Sequence, residues 1–388
     1  MRAAIKTSNQ KEKMITVLFD NQIFKKQKFG GISRYFSKLI QLLRFSENYC
    51  VLPKRFFADN RHLDREEKSK WNILYGAAAF RGRARIIRFV SSVKERRFKE
   101  FIRGGKYDIF HPTYYDGHFL KDLPATKPFI LTVHDMIHEL YYDRPGKVHE
   151  ETRQKALLIP KAAHIIAVSE HTKKDICFLY PDIDPNLISV IYHGYNRAGN
   201  IDASERLIQP EYILFVGGRW DYKNFKWTIE SIASFLKQND LTLVCAGGGV
   251  FTEEEKKYIF DAGIEDHVQF CDIANDNLLD ELYRHAFCFL FPSLYEGFGI
   301  PILEAFANDC PVVLSNATCF PEIAKEAALY FEINDAKNLT DRLNSLFEEE
   351  KRQGLVAAGR ERLKNFSWEK TAGEHKKVYE SVIHGYSK

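Results

Sequence analysis

Short apolar runs rich in β-branched residues alternate with longer amphipathic stretches along the first half of the chain. ITVLF (15–19) precedes a helical pattern near 31–44, and YDIFHP (107–112), FILTVHD (129–135), HIIAVS (164–169) and LISVIYHG (187–194) follow. Strand-like runs separated by helix-length segments are the mark of βαβ units, and predict a mainly parallel sheet with helices on both faces. The rhythm fades over a polar stretch from Tyr195 to Pro210, then restarts with YILFVGG (212–218), LTLVCAGGG (241–249), HVQFCD (267–272), FCFLFPS (287–293), CPVVLSN (310–316) and ALYFE (328–332). Two α/β domains are therefore expected, an N-terminal one over 14–200 and a C-terminal one over 208–368, with the linker in the polar stretch and a catalytic cleft between the halves.

The length of 388 residues fits two domains of about 100 to 200 residues each. No run approaches the roughly 18 apolar residues of a membrane span. The first thirteen residues, MRAAIKTSNQKEK, are basic and polar and lead into no apolar stretch of the secretory kind, so cytoplasmic residence is expected. The seven cysteines are scattered, with no C-x-x-C pair, and read as buried free thiols.

The net charge of +4 hides an asymmetry. Residues 1–195 hold 35 Lys and Arg against 21 Asp and Glu, a net of +14, which leaves −10 for the remainder. Within the basic half, the segment 80–106 carries ten cations and two anions interleaved with apolar residues such as Ile86, Phe89, Val93 and Phe98. Two readings stay open: an amphipathic basic helix for an anionic membrane surface, or a solvated helix whose apolar stripe packs on its own domain. Nucleic acid is a weaker fit, because the aromatics are spaced along a helix rather than laid out as a stacking platform.

Open parallel sheets bind ligands beyond the carboxyl ends of their strands, so the informative residues should follow strands. After YILFV comes Gly217-Gly218-Arg219-Trp220-Asp221-Tyr222-Lys223-Asn224. Its glycines let backbone approach a ligand, and Arg219 and Lys223 offer two cations for the charge that develops on a departing diphosphate. The loop is not a P-loop, because G-x-x-x-x-G-K-[ST] is absent. After FCFLF comes Pro292-Ser293-Leu294-Tyr295-Glu296-Gly297-Phe298-Gly299-Ile300-Pro301-Ile302-Leu303-Glu304. Gly297, Gly299 and Pro301 exclude a helix through Glu296, whereas Pro301 suits the first turn of a helix containing Glu304. Glu296 is thus expected on a strand-end loop and Glu304 one turn into the next helix, where it suits a pair of ribose hydroxyls or serves as a dipole-stabilised acid.

The spacing E-x(7)-E from Glu296 to Glu304, in Y-E-G-F-G-I-P-I-L-E-A and preceded by V-G-G-R-x-x-x-K-N, resembles the donor-site signature of family 4 glycosyltransferases, in particular bacterial cell-surface polysaccharide mannosyltransferases. The likeness runs from Gly30-Gly31 through His134-Asp135 and AVSEHTKKDI to the terminal SWEKTAGEHKKVYESV. It implies the GT-B fold, two Rossmann-like domains with parallel sheets facing a central cleft, and a terminal helix over about 370–388 packed back on the N-terminal domain. It also implies a retaining enzyme with no metal and no cofactor, the nucleotide-diphosphate sugar being a co-substrate. Carried over residue by residue, the resemblance makes Arg219 and Lys223 the diphosphate clamp and Glu304 the ribose ligand. Glu296, Gly297, Phe298, Gly299 and Ile300 contact the donor sugar, with Gly218 in the clamp loop, and His134 is a cleft histidine beside that sugar. Gly30 and Gly31 form a donor-side glycine loop opening a helix. The chain departs from the pattern in two places: four residues separate Arg219 from Lys223 where many relatives have a longer loop, and His193 stands where many have Asn.

The expected reaction is transfer of a hexose, first of all mannose, to a lipid-linked or polysaccharide acceptor in bacterial cell-surface glycan synthesis; the membrane reading of segment 80–106 would make the enzyme peripheral on the inner face of the cell membrane. An epimerase on the same scaffold would need acid and base carboxylates near C2 of the sugar, a set not evident here. A degenerate, non-catalytic subunit would show a broken clamp, and here all four charged residues are present. Asp182-Ile183-Asp184 imitates a metal motif but lies in PDIDPN, a proline-bounded turn better suited to capping.

Overall fold

The computed structural model describes residues 14–76, 80–144, 146–195, 208, 211–273 and 275–386. The basic N-terminal thirteen residues and most of the expected linker, 196–207 and 209–210, lie outside the described residues. By its internal contacts the chain divides into two units. The first holds the chain up to Thr132, Glu150–Ile166 and the chain from Ala372, and the second holds Val133–His149 and Ala167–Thr371.

The first unit is built on parallel strands β1 (Ile15–Phe19), β2 (Tyr49–Leu52) and β3 (Ile109–His111), in the order β2-β1-β3. β2 has no counterpart in the sequence reading. Its four residues are cut short by Pro53 and never form a run long enough to stand out. Strands β4 (Ile130–Val133), β5 (His164–Ala167) and β6 (Ile188–Val190) form another sheet, ordered β4-β5-β6. The helix Gly31–Arg44 turns Tyr35, Phe36, Leu39, Ile40 and Leu43 inward at helical spacing. The terminal helix Trp368–Tyr386 sends His375 and Tyr379 into the same core. There the Tyr379 hydroxyl meets His111 Nδ1 at 2.8 Å, and the Tyr35 hydroxyl meets His375 Nε2 at 2.6 Å. These pairings satisfy polar groups that would each cost about 1 to 3 kcal/mol if buried alone.

The second unit carries a six-stranded parallel sheet. Its strands are β7 (Tyr212–Val216), β8 (Thr242–Ala246), β9 (Val268–Cys271), β10 (Cys288–Phe291), β11 (Val312–Ser315) and β12 (Leu329–Phe331), in the order β12-β11-β10-β7-β8-β9. Leu214, Val216, Phe289 and Leu314 join one apolar cluster, while Ile213, Phe215, Leu290 and Val313 join the other, so alternate residues feed cores on both faces. That double burial is why these strands read as continuous apolar runs. The order is the doubly wound one, and its direction reverses between β7 and β10.

All seven cysteines are free thiols, and Cys245, Cys288, Cys310 and Cys319 are buried. Asp184 caps the short turn Pro185–Leu187 by accepting from the Asn186 N–H. Among the described residues no helix is long and apolar enough to cross a membrane, and no cluster of His, Cys, Asp and Glu could hold a metal ion.

Candidate functional site

A crevice between two loops opens where a doubly wound sheet reverses direction. The two loops singled out in the sequence follow β7 and β10, the strands that flank this reversal. They are tied together: Lys223 Nζ donates to Glu296 Oε1 at 2.5 Å, and the Leu294 N–H donates to the Tyr222 carbonyl at 2.7 Å. The Lys223 side chain is only 11% exposed, with its ammonium 4.9 Å over the Phe291 ring and 5.3 Å over that of Tyr222. A cation held between aromatic faces and one carboxylate is poised for a second anionic partner. A third loop joins them, because Thr318, in the turn after β11, accepts the Glu296 N–H at 3.2 Å.

Arg219 is placed differently. Its guanidinium, 1% exposed, lies flat against the turn after β8. Nε donates to Glu255 Oε1 at 2.8 Å, while the terminal nitrogens donate to the carbonyls of Gly247 at 2.9 Å and Gly249 at 2.7 Å. The Phe251 ring covers it at 4.8 Å. Glu255 is itself fixed by a capping box with Thr252 at the head of the helix Glu253–Asp261. Of the expected two-cation clamp, Lys223 is thus held against Glu296, whereas Arg219 staples the glycine turn 247–249 beside Gly218.

The helix Ile300–Ala307 begins beyond Gly299, whose left-handed backbone (φ +88°) an L side chain would strain. Pro301 has no N–H and the Ile302 N–H donates to the Gly299 carbonyl at 3.0 Å, so in the first turn it is the Ile300 N–H that can meet an anionic or hydroxyl oxygen. Glu304 is buried one turn in, accepting from the Tyr283 hydroxyl at 3.2 Å. Burial, and then this carboxylate, hold the Tyr283 phenol well above its ordinary pKa, so it stays a donor.

His134 belongs to the second unit by its contacts. The loop of Glu296 packs directly on it: a Cβ added at Gly297 would stand 1.8 Å from the His134 carbonyl oxygen. The Gly297 carbonyl is gripped from the other side by Ser169 Oγ at 2.6 Å and Thr172 Oγ1 at 3.2 Å. Tyr295 adds a further brace, accepting the Met136 N–H at 3.1 Å and donating to Asp175 at 2.5 Å. The ring of His193 lies 5.9 Å from that of His134 and 4.6 Å from that of Phe298, completing an aromatic row. Gly30 and Gly31 lie in the first unit, as N-cap and first residue of the helix Gly31–Arg44.

Glu255, Thr318, Tyr295 and His193 were missed as site residues. The capping sequence Thr252-x-x-Glu255 announces a helix start but not the arginine it captures. His193 had a signal, since Tyr192-His193-Gly194 ends a strand-like run just as Thr-Val-His134 does.

Sheet order, paired switch-point loops and a buried glutamate one helical turn beyond them define a Rossmann-like module in a chain of GT-B fold. Solved structures agree on the fold. Sucrose-phosphate synthase from Thermosynechococcus elongatus superposes over 96% of this chain and all of its own, with a TM-score of 0.71 at 17% identity. Anabaena Alr3699/HepE, solved in complex with UDP and glucose, covers 95% of this chain and all of its own, with a TM-score of 0.68 at 17% identity.

The chain belongs to family 4 of the glycosyltransferases: the model Glycosyltransferase Family 4 matches residues 29–198 and the model Glycosyl transferases group 1 matches residues 200–362. An O-antigen chain mannosyltransferase of Salmonella typhimurium is 31% identical over 219 residues, which are 56% of this chain and 60% of that protein. The match therefore spans less than two thirds of that relative.

Proposed function

We propose that this chain is a retaining, metal-independent glycosyltransferase that moves a hexose, mannose before others, from a nucleoside-diphosphate donor to a lipid-linked or polysaccharide acceptor in bacterial cell-surface glycan synthesis. The observation that carries the reading is the Lys223–Glu296 pair across the sheet reversal, with Glu304 buried one turn into the adjoining helix. The mannosyltransferase relative supports the choice of sugar, and the neighbour solved with UDP and glucose supports a nucleotide-sugar donor.

In this reading Glu304 accepts from the ribose hydroxyls. The Ile300 N–H and the Lys223 ammonium meet the diphosphate, and Glu296 turns to the hydroxyls of the transferred sugar. The bond between the anomeric carbon and the phosphate oxygen breaks, and the acceptor oxygen bonds to the same face. The acceptor proton passes to the departing phosphate oxygen, whose charge Lys223 stabilises. No covalent sugar on Glu296 is required. Arg219 acts by shaping the loop that receives the nucleotide.

The test is release of nucleoside diphosphate from a panel of GDP- and UDP-sugars, with and without EDTA, followed by the anomeric configuration of the product. Release from none of them, abolition by chelator, inversion, or a sugar adduct on Glu296 by intact mass would each remove the corresponding part.

The segment 80–106 adds a membrane component to the proposal. In the helix Arg83–Gly104 only Val90 and Ile102 are buried, while Phe80, Ile86 and Phe89 are exposed among Arg81, Arg85 and Arg88. Arg83 is engaged locally, donating to the carbonyls of Leu74 and Tyr75. An anionic bilayer surface, as on the inner face of a cell membrane, suits this combination. Binding to phosphatidylglycerol vesicles should fall with salt and disappear when Arg81, Arg85 and Arg88 become Gln. Salt-insensitive or unchanged binding would refute it.

A further inference from the structure

Two adjoining cavities of about 390 and 560 Å³ open in the first unit at the carboxyl ends of β1, β2 and β3, sharing Asp20, Lys25, Glu95 and Phe98. The larger draws on residues that follow β1 and β3, the two strands between which the β2-β1-β3 sheet reverses its order.

Their chemistry differs. The smaller is walled by Leu52, Phe57, Phe98 and Phe101 and ringed by five cations, Lys25, Lys54, Arg55, Lys94 and Arg97. Its two carboxylates, Asp20 and Glu95, leave the cations in excess. Asp20 already accepts from the N–H groups of Gln22 and Thr113 and from the Thr113 hydroxyl. Glu95 lies 3.9 Å from the ammonium groups of both Lys25 and Lys99. Lys94 stands 5.8 Å over the Phe57 ring, and burial, then the nearby Arg97, hold its pKa below the ordinary range. Like charges gathered against an apolar wall are relieved by an anion that brings an apolar chain with it. The larger cavity is instead lined by Gln22, Tyr114, Asp116, His118, Glu151 and Gln154, groups that donate to and accept from hydroxyls.

We propose that the two cavities form one acceptor subsite divided by chemistry. The cationic, phenylalanine-walled part takes the phosphate and first apolar carbons of a phosphorylated lipid, and the polar part takes the sugar which that phosphate carries. The assignment rests on the glycosyl-transfer reading and deepens it, since it fixes which end of the acceptor lies where.

Farnesyl diphosphate, inorganic pyrophosphate and farnesol serve as probes, titrated into the full chain with the donor site saturated by nucleoside diphosphate. Farnesyl diphosphate should bind saturably and at least tenfold more tightly than either of the others. The K54A/R55A variant, altered at two exposed positions, should lose at least tenfold of that affinity, with nucleoside-diphosphate affinity serving as the folding control. Equal binding of pyrophosphate would overturn the lipid assignment in favour of a free-phosphate site. Unchanged affinity in K54A/R55A, with K94Q/R97Q equally silent, would overturn the location. Failure of the glycosyl-transfer reading would appear elsewhere, as absence of nucleoside-diphosphate release from every donor by the unaltered protein.

Discussion

Replacing Arg219 by Ala should unfold the glycine turn 247–249 before it affects anything electrostatic at the proposed diphosphate site. Arg219 is almost wholly enclosed, makes a two-point contact with Glu255 at 2.8 and 3.4 Å, and donates to the carbonyls of Gly247 and Gly249. Removing it strands the Glu255 carboxylate, whose side chain is 12% exposed, and breaking a buried pair in this way costs about 3 to 5 kcal/mol. For a unit of this size that is a drop of roughly 6 to 20 °C in Tm, at about 2 to 4 °C per kcal/mol. R219K keeps the charge but loses the planar fork, and should recover only a minor part. E255Q leaves Arg219 its carbonyl acceptors and should cost about 1.5 to 3 kcal/mol, the range of one charged hydrogen bond. The R219A/E255A double variant should be less damaged than the sum of the single ones, with a coupling of at least about 1 kcal/mol. Differential scanning calorimetry beside nucleoside-diphosphate titration reads both quantities. If R219A left Tm within a degree and abolished diphosphate affinity, Arg219 would be a ligand contact and the staple argument would fail.

Three further expectations follow from the same geometry. G297A should cost several kcal/mol and most of the activity, because its Cβ would overlap the His134 carbonyl; a variant with unaltered Tm and turnover would contradict the packing. K223M, which keeps the stem between Phe291 and Tyr222, should lower kcat for the best donor by about 10² to 10³-fold while the protein stays folded, and full turnover would remove Lys223 from the reaction. Burial raises the Asp20 carboxyl from 3.8 to about 6, so the folded state binds the extra proton between these values. Its favourable contribution is complete below pH 3.8 and is lost as pH rises through 6, a change on the order of 3 kcal/mol. D20N should therefore flatten the fall in Tm over that window, and an identical slope in both proteins would show that Asp20 does not titrate there.

What the chain's own pattern determined is local. Apolar runs buried on two faces announced β7, β8, β10 and β11, because that burial leaves no polar alternation to blur them, while the edge strands β9 and β12 are only partly covered. The placement of Glu296 on a loop and Glu304 in a helix was legible from Gly299 and Pro301, whose backbone preferences act within a few residues. Tertiary structure decided the partnerships. Arg219 and Lys223 look equivalent four positions apart, yet one is drawn to Glu255 and the other to Glu296, each acid well separated from it in sequence. Likewise the need for glycine at position 297 comes from the His134 carbonyl, which no local preference reveals. The apolar stripe of 80–106 was ambiguous because periodicity gives the face of a helix but not what lies against it. Packing buries it at Val90 and Ile102 and leaves Ile86 and Phe89 exposed. Sequence sets backbone propensity and burial pattern over a few residues, whereas the energy of a buried charge depends on which distant group reaches it.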